Sequence, residues 1–370
     1  MRILLVFPFK LENSGGKNRA ALQKYFAMAK LYPNTVVMFP KGEVNILIEL
    51  VYIEILSTLR IMFGNYDVLW SRGHIAVLGS IIARLISKYS VRELHSNPHE
   101  EVHLITGSFP KVLLLSICFY LSSVGNTFAT HRVFNTLQLK LNYKTNAVAK
   151  TLDLFTSFKS INVVSHNAGS TDNFHSWNNL NSFLSERRSF ANDDCFILSF
   201  MGSASKWHGA EYIVEIARKS MNENLPFIFI VAGGRINLGS SPLNLINVSP
   251  CDPSTSHKIM SISDAFLLPV KDVRSSPGSP LKLYDYLQYS KPILYQKGKS
   301  FYSVEAGIHK SAYGVNFWDF NQFIETAFSV LPKSPSFSFA SSINNESSLP
   351  LSHTWESRIT SIVQTLYTPR

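Results

Sequence analysis

Two consecutive doubly wound α/β domains, each a mostly parallel sheet with helices on both faces, are the fold this sequence predicts. Its 370 residues exceed one ordinary domain and suit two. Short β-branched and aromatic runs alternate with longer stretches of helical periodicity along most of the chain. The alternation lapses once, across the Asn- and Ser-rich stretch 174–194, and then begins again. With 45% hydrophobic and 16% charged residues, each half has the material for its own core.

The first series opens with Ile3–Phe7, which lacks the longer apolar core and small-residue cleavage site of a signal peptide and reads as a buried strand. Further strands are expected at Thr35–Phe39, Asp67–Trp70, Ser90–Leu94, Asn126–Thr130 and Ile161–Val164. Helices are expected near 17–31, 44–63, 74–88, 100–123 and 134–150. Val44–Phe63 contains Glu49, Glu54 and Arg60, too many charges for a membrane span. Val112–Val124 is uncharged but shorter than the ~20 residues a span needs. After the linker come strands at Phe196–Phe200, Phe227–Ala232, Asn244–Val248, Ala265–Pro269 and Pro292–Tyr295, with helices around 209–221, 254–262, 281–289 and 320–330. The Ser-rich stretch 334–352 reads as irregular surface, and an amphipathic helix over Thr354–Tyr367 closes the chain. The domains expected are thus 1–175, a linker 176–194, 195–350 and a terminal helix within 351–370.

The net charge of +10 is unevenly placed: residues 1–165 hold 18 Lys and Arg against 9 Asp and Glu, while the remainder is nearly balanced. A basic first half implies an anionic partner, and without a nucleic-acid motif a membrane surface or lipid phosphate is favoured over nucleic acid. Cys118, Cys195 and Cys251 are far apart and lack CxxC spacing, so reduced thiols in a cytoplasmic protein are expected.

Several loops can carry chemistry. Gly15 and Gly16, followed by Lys17 and Arg19, put small residues and positive charge at a helix start, as an anion site or as an ordinary loop. No G-x-G-x-x-G follows the first strand, so the dinucleotide fingerprint is missing. Val91–Glu101 ends a strand and points Glu93, His95 or both toward a cleft. His95, His99 and His103 repeat every four residues, but Pro98 disfavours a helical Asn97, and no metal is expected. Leu198–Gly209 offers a strand, a small-residue loop with Ser203, Lys206 and His208, and a helix, the outline of a diphosphate cradle. Ile228–Gly234 is a buried strand ending in Gly233 and Gly234. In Ser275–Pro292, Pro277, Gly278, Ser279 and Pro280 precede a helix starting near Leu281. Asp285 lies one turn from Lys282, either as a carboxylate for two ribose hydroxyls or as a solvated first-turn acid.

Taken in order, the motifs resemble the family 4 (glycosyl transferases group 1) retaining glycosyltransferases of GT-B fold over nearly the whole chain. The residues concerned are Gly15-Gly16, Glu93–His95, His166–Gly169, Gly202–Gly209, Val231–Gly234, Ser263–Pro269 and, most specific, Ser279–Leu287 with Lys291-Pro292. The resemblance implies an interdomain cleft, a metal-independent cytoplasmic enzyme without a cofactor, and a nucleotide-diphospho-sugar donor. It assigns Asp285 to the ribose, amides near Ser279–Leu283 to the pyrophosphate, Lys206 or His208 to phosphate charge, and His95 to the donor sugar. Basic residues of the first domain would receive a glycan or lipid-linked acceptor of surface polysaccharide or glycolipid synthesis, with peripheral contact to an anionic membrane. Trp355 would open a helix crossing back to the first domain. Pro277 stands where the family has the first of two acids eight positions apart. That departure leaves a non-catalytic homologue binding a glycan or a partner glycosyltransferase as the alternative, ahead of an epimerase or phosphorylase.

Overall fold

The run Ile-Leu-Leu-Val at Ile3–Val6 is apolar on both faces of its pleat, and all four side chains are buried. Such a run belongs inside a parallel sheet covered on both sides. The computed structural model describes residues 1–11, 16–42, 45–94, 109–134, 140, 143, 160–165, 194–202, 208–233, 242–248, 251, 253–271, 281–298, 306–307, 309–332 and 354–367. It places this strand, β1, between β2 (Val36–Met38) and β3 (Val68–Arg72). The sheet continues through β4 (Tyr89–Leu94), β5 (His131–Phe134) and β6 (Ile161–Val164), in the order β2-β1-β3-β4-β5-β6 with every pairing parallel.

The pleat sorts the side chains. Ile3, Leu5, Val68, Trp70, Val91 and Val133 face one side, under helix α1 (Gly16–Leu31). Leu4, Val6 and Leu69 face the other, under α2 (Ile46–Phe63) and α3 (Val77–Leu85). Helix α4 (Phe109–Phe128) packs beside α3 and completes that second layer.

The second sheet holds β7 (Phe196–Met201), β8 (Phe227–Ala232), β9 (Leu245–Val248), β10 (Ala265–Leu268), β11 (Ile293–Gln296) and β12 (Ala312–Val315), in the order β9-β8-β7-β10-β11-β12, again all parallel. One face packs against α5 (Ala210–Asn222) and α8 (Phe320–Val330), the other against α6 (Pro253–Ile262) and α7 (Leu281–Leu287). This strand order reverses direction between β7 and β10, which opens a crevice beyond their carboxyl ends.

The last helix, α9 (Trp355–Leu366), belongs to the first half. Thr354 caps it by accepting the Ser357 amide, and Trp355, Ile359, Ile362, Val363 and Leu366 complete the core beside α1. His131 Nε2 reaches the Thr365 carbonyl at 3.2 Å, tying the helix to β5.

The structure corrects the reading of residues 126–134. Asn126–Phe128 form the last turn of α4, and the strand is His131–Phe134. His131 and Arg132 are polar yet buried: Arg132 Nε donates to the Asn126 carbonyl at 2.7 Å, and its guanidinium lies over the Tyr143 ring. The edge strand β12 was not anticipated, since Ala-Tyr-Gly-Val is short and mostly half-exposed. Residues 135–139 and most of 140–158, where a helix was expected, lie outside the described residues, as do the expected linker and the Ser-rich stretch. Cys195 and Cys251 form no disulfide and pack at intermediate burial on the second core, with Cys251 Sγ 3.2 Å from Ser256 Oγ.

Candidate functional site

The crevice at the strand-order reversal of the second sheet is built from glycines. β7 leads into Gly202, with φ at +138°, and β8 leads into Gly233, with φ at +97°; both conformations are open to glycine and strained for other residues. The two lie back to back, a Cβ on Gly233 falling 3.4 Å from the Gly202 backbone. A Cβ on Gly202 would stand 2.1 Å from Lys282 Cε, so the lysine chain crosses directly over this glycine. His208, in a short turn before α5, brings its ring to 6.2 Å from Phe200, and the Lys282 ammonium sits 5.1 Å from the same ring. Phe200 thus lies beside both side chains.

Three contacts hold this arrangement rigid. Gly209, at φ +66°, presses on the Pro269 carbonyl at the end of β10, where a Cβ would approach to 1.9 Å. Lys271 pairs with Glu211 in the first turn of α5, which raises the lysine pKa. Tyr286 of α7 stacks on Phe266 at 4.5 Å and 10°, and its hydroxyl accepts the Met201 amide at 2.8 Å. Burial pushes the Tyr286 hydroxyl pKa up, keeping it a neutral hydrogen-bonding partner.

Lys282 is half-buried, and loss of hydration lowers its pKa to about 7, while Asp285, one turn along α7, pulls it back up. The resulting group is poised to gain a proton when an anion arrives. Leu281, at the start of α7, packs against the core of the first half, so this end of the site adjoins the other domain.

Of the residues singled out from the sequence, His208, Gly233, Leu281, Lys282 and Asp285 are described, and all belong to the carboxyl edge of the second sheet and the helix starts above it. His95, Ser203, Lys206, Gly234, Gly278, Ser279 and Gly15 lie outside the described residues. Gly16, Lys17 and Arg19 fall in α1, with their side chains outside the description. Phe200, Gly202 and Tyr286 were not singled out as site residues; a glycine directly after a buried strand was the one available signal for Gly202.

In the first sheet, Glu93 does not open toward a cleft. It is 4% exposed and turned under α1, where both carboxylate oxygens accept from Lys24 Nζ at 2.7 Å and one also accepts the Trp70 indole N–H. Lys24 in turn lies 4.5 Å from the Trp355 ring centroid. Burial lowers the Lys24 pKa, and the Glu93 charge opposes that shift. Its neighbour Arg92 points through the other face and donates to Ile75 O at 2.8 Å and to Asn126 Oδ1 at 2.9 Å, fixing the turn after β3. Loss of hydration lowers the Arg92 pKa to about 10. Among the described residues no three His, Cys, Asp or Glu side chains group as metal ligands, and no helix is long and apolar enough to cross a membrane.

No protein-family model matches the chain, and no curated protein matches it in sequence. Solved structures do match in fold. Sucrose-phosphate synthase from Thermosynechococcus elongatus is 12% identical, with 99% of this chain and 98% of that one covered and a TM-score of 0.64. The E. coli trehalose-6-phosphate protein bound with UDP-2-fluoro glucose is 11% identical over 100% of both chains, with a TM-score of 0.62. UDP-GlcNAc 2-epimerase from Neisseria meningitidis, bound to UDP-GlcNAc, is 14% identical over 99% of both, with a TM-score of 0.51. At such identities the likeness establishes the fold, which is GT-B: two Rossmann-like domains spanning the whole chain.

Proposed function

We propose that this chain is a glycosyltransferase that moves a sugar from a nucleotide-diphospho-sugar to a glycan or lipid-linked acceptor, retaining the anomeric configuration and using no metal. The observation that carries the reading is the meeting of Gly202, Gly233, His208, Lys282 and Asp285 at the crevice of the second sheet. Backbone without side chains lets a nucleotide come close, and a lysine and an imidazole beside one aromatic ring suit a diphosphate. Two of the structural neighbours are complexes with a UDP-sugar, which fits the same division of labour.

In this scheme residues 195–350 hold the donor. Asp285 accepts the ribose hydroxyls. Amides from Ser279 to Leu283, together with Lys282, hold the pyrophosphate, and Ser203, Lys206, Gly234 and Gly278 belong to the loops around it. As the bond to the sugar breaks, negative charge builds on the leaving phosphate. His208, Lys206 and Lys282 are placed in our scheme to offset it, which lowers the barrier without proton transfer. His95, one residue beyond β4, stands beside the donor sugar, and Gly15, Gly16, Lys17 and Arg19 of the basic first domain, residues 1–175, receive the acceptor. Assembly of a surface polysaccharide or glycolipid, in the cytoplasm at the inner face of the membrane, is the setting these assignments suit.

A panel of UDP-, GDP-, ADP- and dTDP-sugars tested by thermal shift checks the reading, because a ligand bound at 100 times its Kd adds about 2.7 kcal/mol to the native state. A rise with at least one sugar nucleotide, lost in Asp285→Ala with folding intact, is expected. No rise with any donor would refute it. Pro277 in the place of a donor-sugar acid supports a second reading, a non-catalytic homologue that keeps the fold to bind a glycan or a partner transferase. Donor binding without turnover on lipid extracts would favour that. Product released without an acceptor would mark an epimerase instead, and phosphate-dependent turnover a phosphorylase.

A further inference from the structure

We infer that the outer face of the α2–α3–α4 layer is a docking surface for an anionic lipid bilayer. A helix lying on a sheet normally buries one stripe and offers a polar stripe to water. Helix α2 departs from that pattern. Ile48, Val51, Tyr52, Ile55 and Phe63 are 64%, 60%, 62%, 53% and 76% exposed, and their helical spacing puts them on one outward face. Helix α4 repeats the pattern with Leu113, Ile117 and Tyr120, and α3, packed between the two, adds Leu78 and Leu85. Sixteen of the 22 large apolar side chains exposed among the described residues lie on this layer or its α3 cap, so the patch is concentrated and not scattered.

The charges around it identify the occupant. The acids of α2 are withdrawn: Glu49 accepts the Gly42 amide at 2.9 Å with both oxygens, and Glu54 caps α3 by accepting the Leu78 amide at 2.6 Å. Burial raises the Glu54 pKa, and the amides at the start of α3 and Arg92 oppose that shift. Basic residues sit at the margins: exposed Lys41 ahead of α2 and half-buried Arg60 in its last turn, while Lys88, just beyond α3, donates to the Ile61 and Gly64 carbonyls at the end of α2. Pairing this face with a second copy across a two-fold axis would bring those basic margins toward their own kind. A flat anionic bilayer complements both the apolar centre and the basic edge, with the helices lying in the interface plane.

The docking surface stands apart from the donor site, and the two readings fail separately. Flotation of the full chain with phosphatidylcholine vesicles, with and without about 30% phosphatidylglycerol, measures it directly. The chain is expected to float with the anionic vesicles. Val51→Glu, Ile55→Glu and Phe63→Glu together should lower the bound fraction by about tenfold or more. Leu243→Glu, at a residue 92% exposed in the second half, should leave it unchanged. If circular dichroism finds the triple variant unfolded, Phe63→Glu alone carries the comparison. Three results would overturn the inference: no flotation with anionic vesicles, flotation indifferent to these substitutions, or a lipid-free dimer that the substitutions convert to monomer.

Discussion

Replacing Lys282 by methionine retains the chain that crosses Gly202 and removes its charge. The ordinary lysine pKa of 10.5 falls to about 7 in the folded protein because the ammonium loses water. A difference of that size corresponds to roughly 5 kcal/mol at about 1.4 kcal/mol per pH unit. The side chain keeps some solvent contact, which screens the effect, and about 2 kcal/mol is the expected share. The sign follows from proton counting. Between pH 7 and 10.5 the unfolded chain holds a proton that the folded chain has shed, so stability rises with pH across that window. Below it both states are charged and the whole cost remains. Lys282→Met should therefore melt about 4–8 °C above the wild type near pH 6, with the gap closing toward pH 10. The same variant should bind a sugar nucleotide about tenfold more weakly or worse, since a charge-assisted contact to the diphosphate is gone. Scanning calorimetry across this pH range, with titration calorimetry in two buffers of different ionisation enthalpy, reads both effects. Wild-type affinity should fall as pH rises above 7, with proton uptake on binding. Parallel melting curves for the two proteins, or undiminished affinity in the methionine variant, would refute the reasoning.

Further expectations concern backbone and core. Gly202→Ala places a Cβ at φ +138° and against the lysine chain; a loss of about 1–3 kcal/mol in urea unfolding is expected, with donor binding weakened through displaced Lys282. Lys24→Met leaves Glu93 buried without its cation and should cost about 3–5 kcal/mol, whereas the double variant Lys24→Met/Glu93→Leu should recover much of that loss. Gly209→Ala would meet the Pro269 carbonyl, a backbone atom that cannot swing aside, so poor expression or a melting point lower by several degrees is expected. Trp355→Ala removes a core ring together with the Lys24 contact and should destabilise by about 3–5 kcal/mol, measurable by denaturant titration.

Most strands were legible because a strand inside a doubly wound sheet is apolar on both faces; Ile3–Val6 and Phe227–Ala232 declare themselves by composition alone. β5 was not, because His131 and Arg132 look like surface residues until the Asn126 carbonyl, the Tyr143 ring and the Thr365 carbonyl are in place around them. The donor-site helix was legible in Lys282 and Asp285, which lie three residues apart on one helix. The partnership of Lys282 with Gly202 and Phe200 was hidden, since it joins residues eighty positions apart that only sheet order brings together. Glu93 misled for a related reason. Strand position fixes the level at which a side chain leaves the sheet, but the parity of the pleat decides the face, and here it sends Glu93 beneath α1.

The return of α9 to the first sheet has a consequence for biosynthesis. Residues 1–165 leave the ribosome early, yet the groove beside α1 that Trp355, Ile359, Ile362 and Leu366 fill stays uncovered until the second domain has also been translated. The nascent first domain therefore waits, with Ile3, Leu5 and Met28 short of their full packing, while some two hundred residues follow at about 5–20 per second. A chain interrupted anywhere before residue 354 would present the same open groove, a mark by which quality control can recognise it as unfinished.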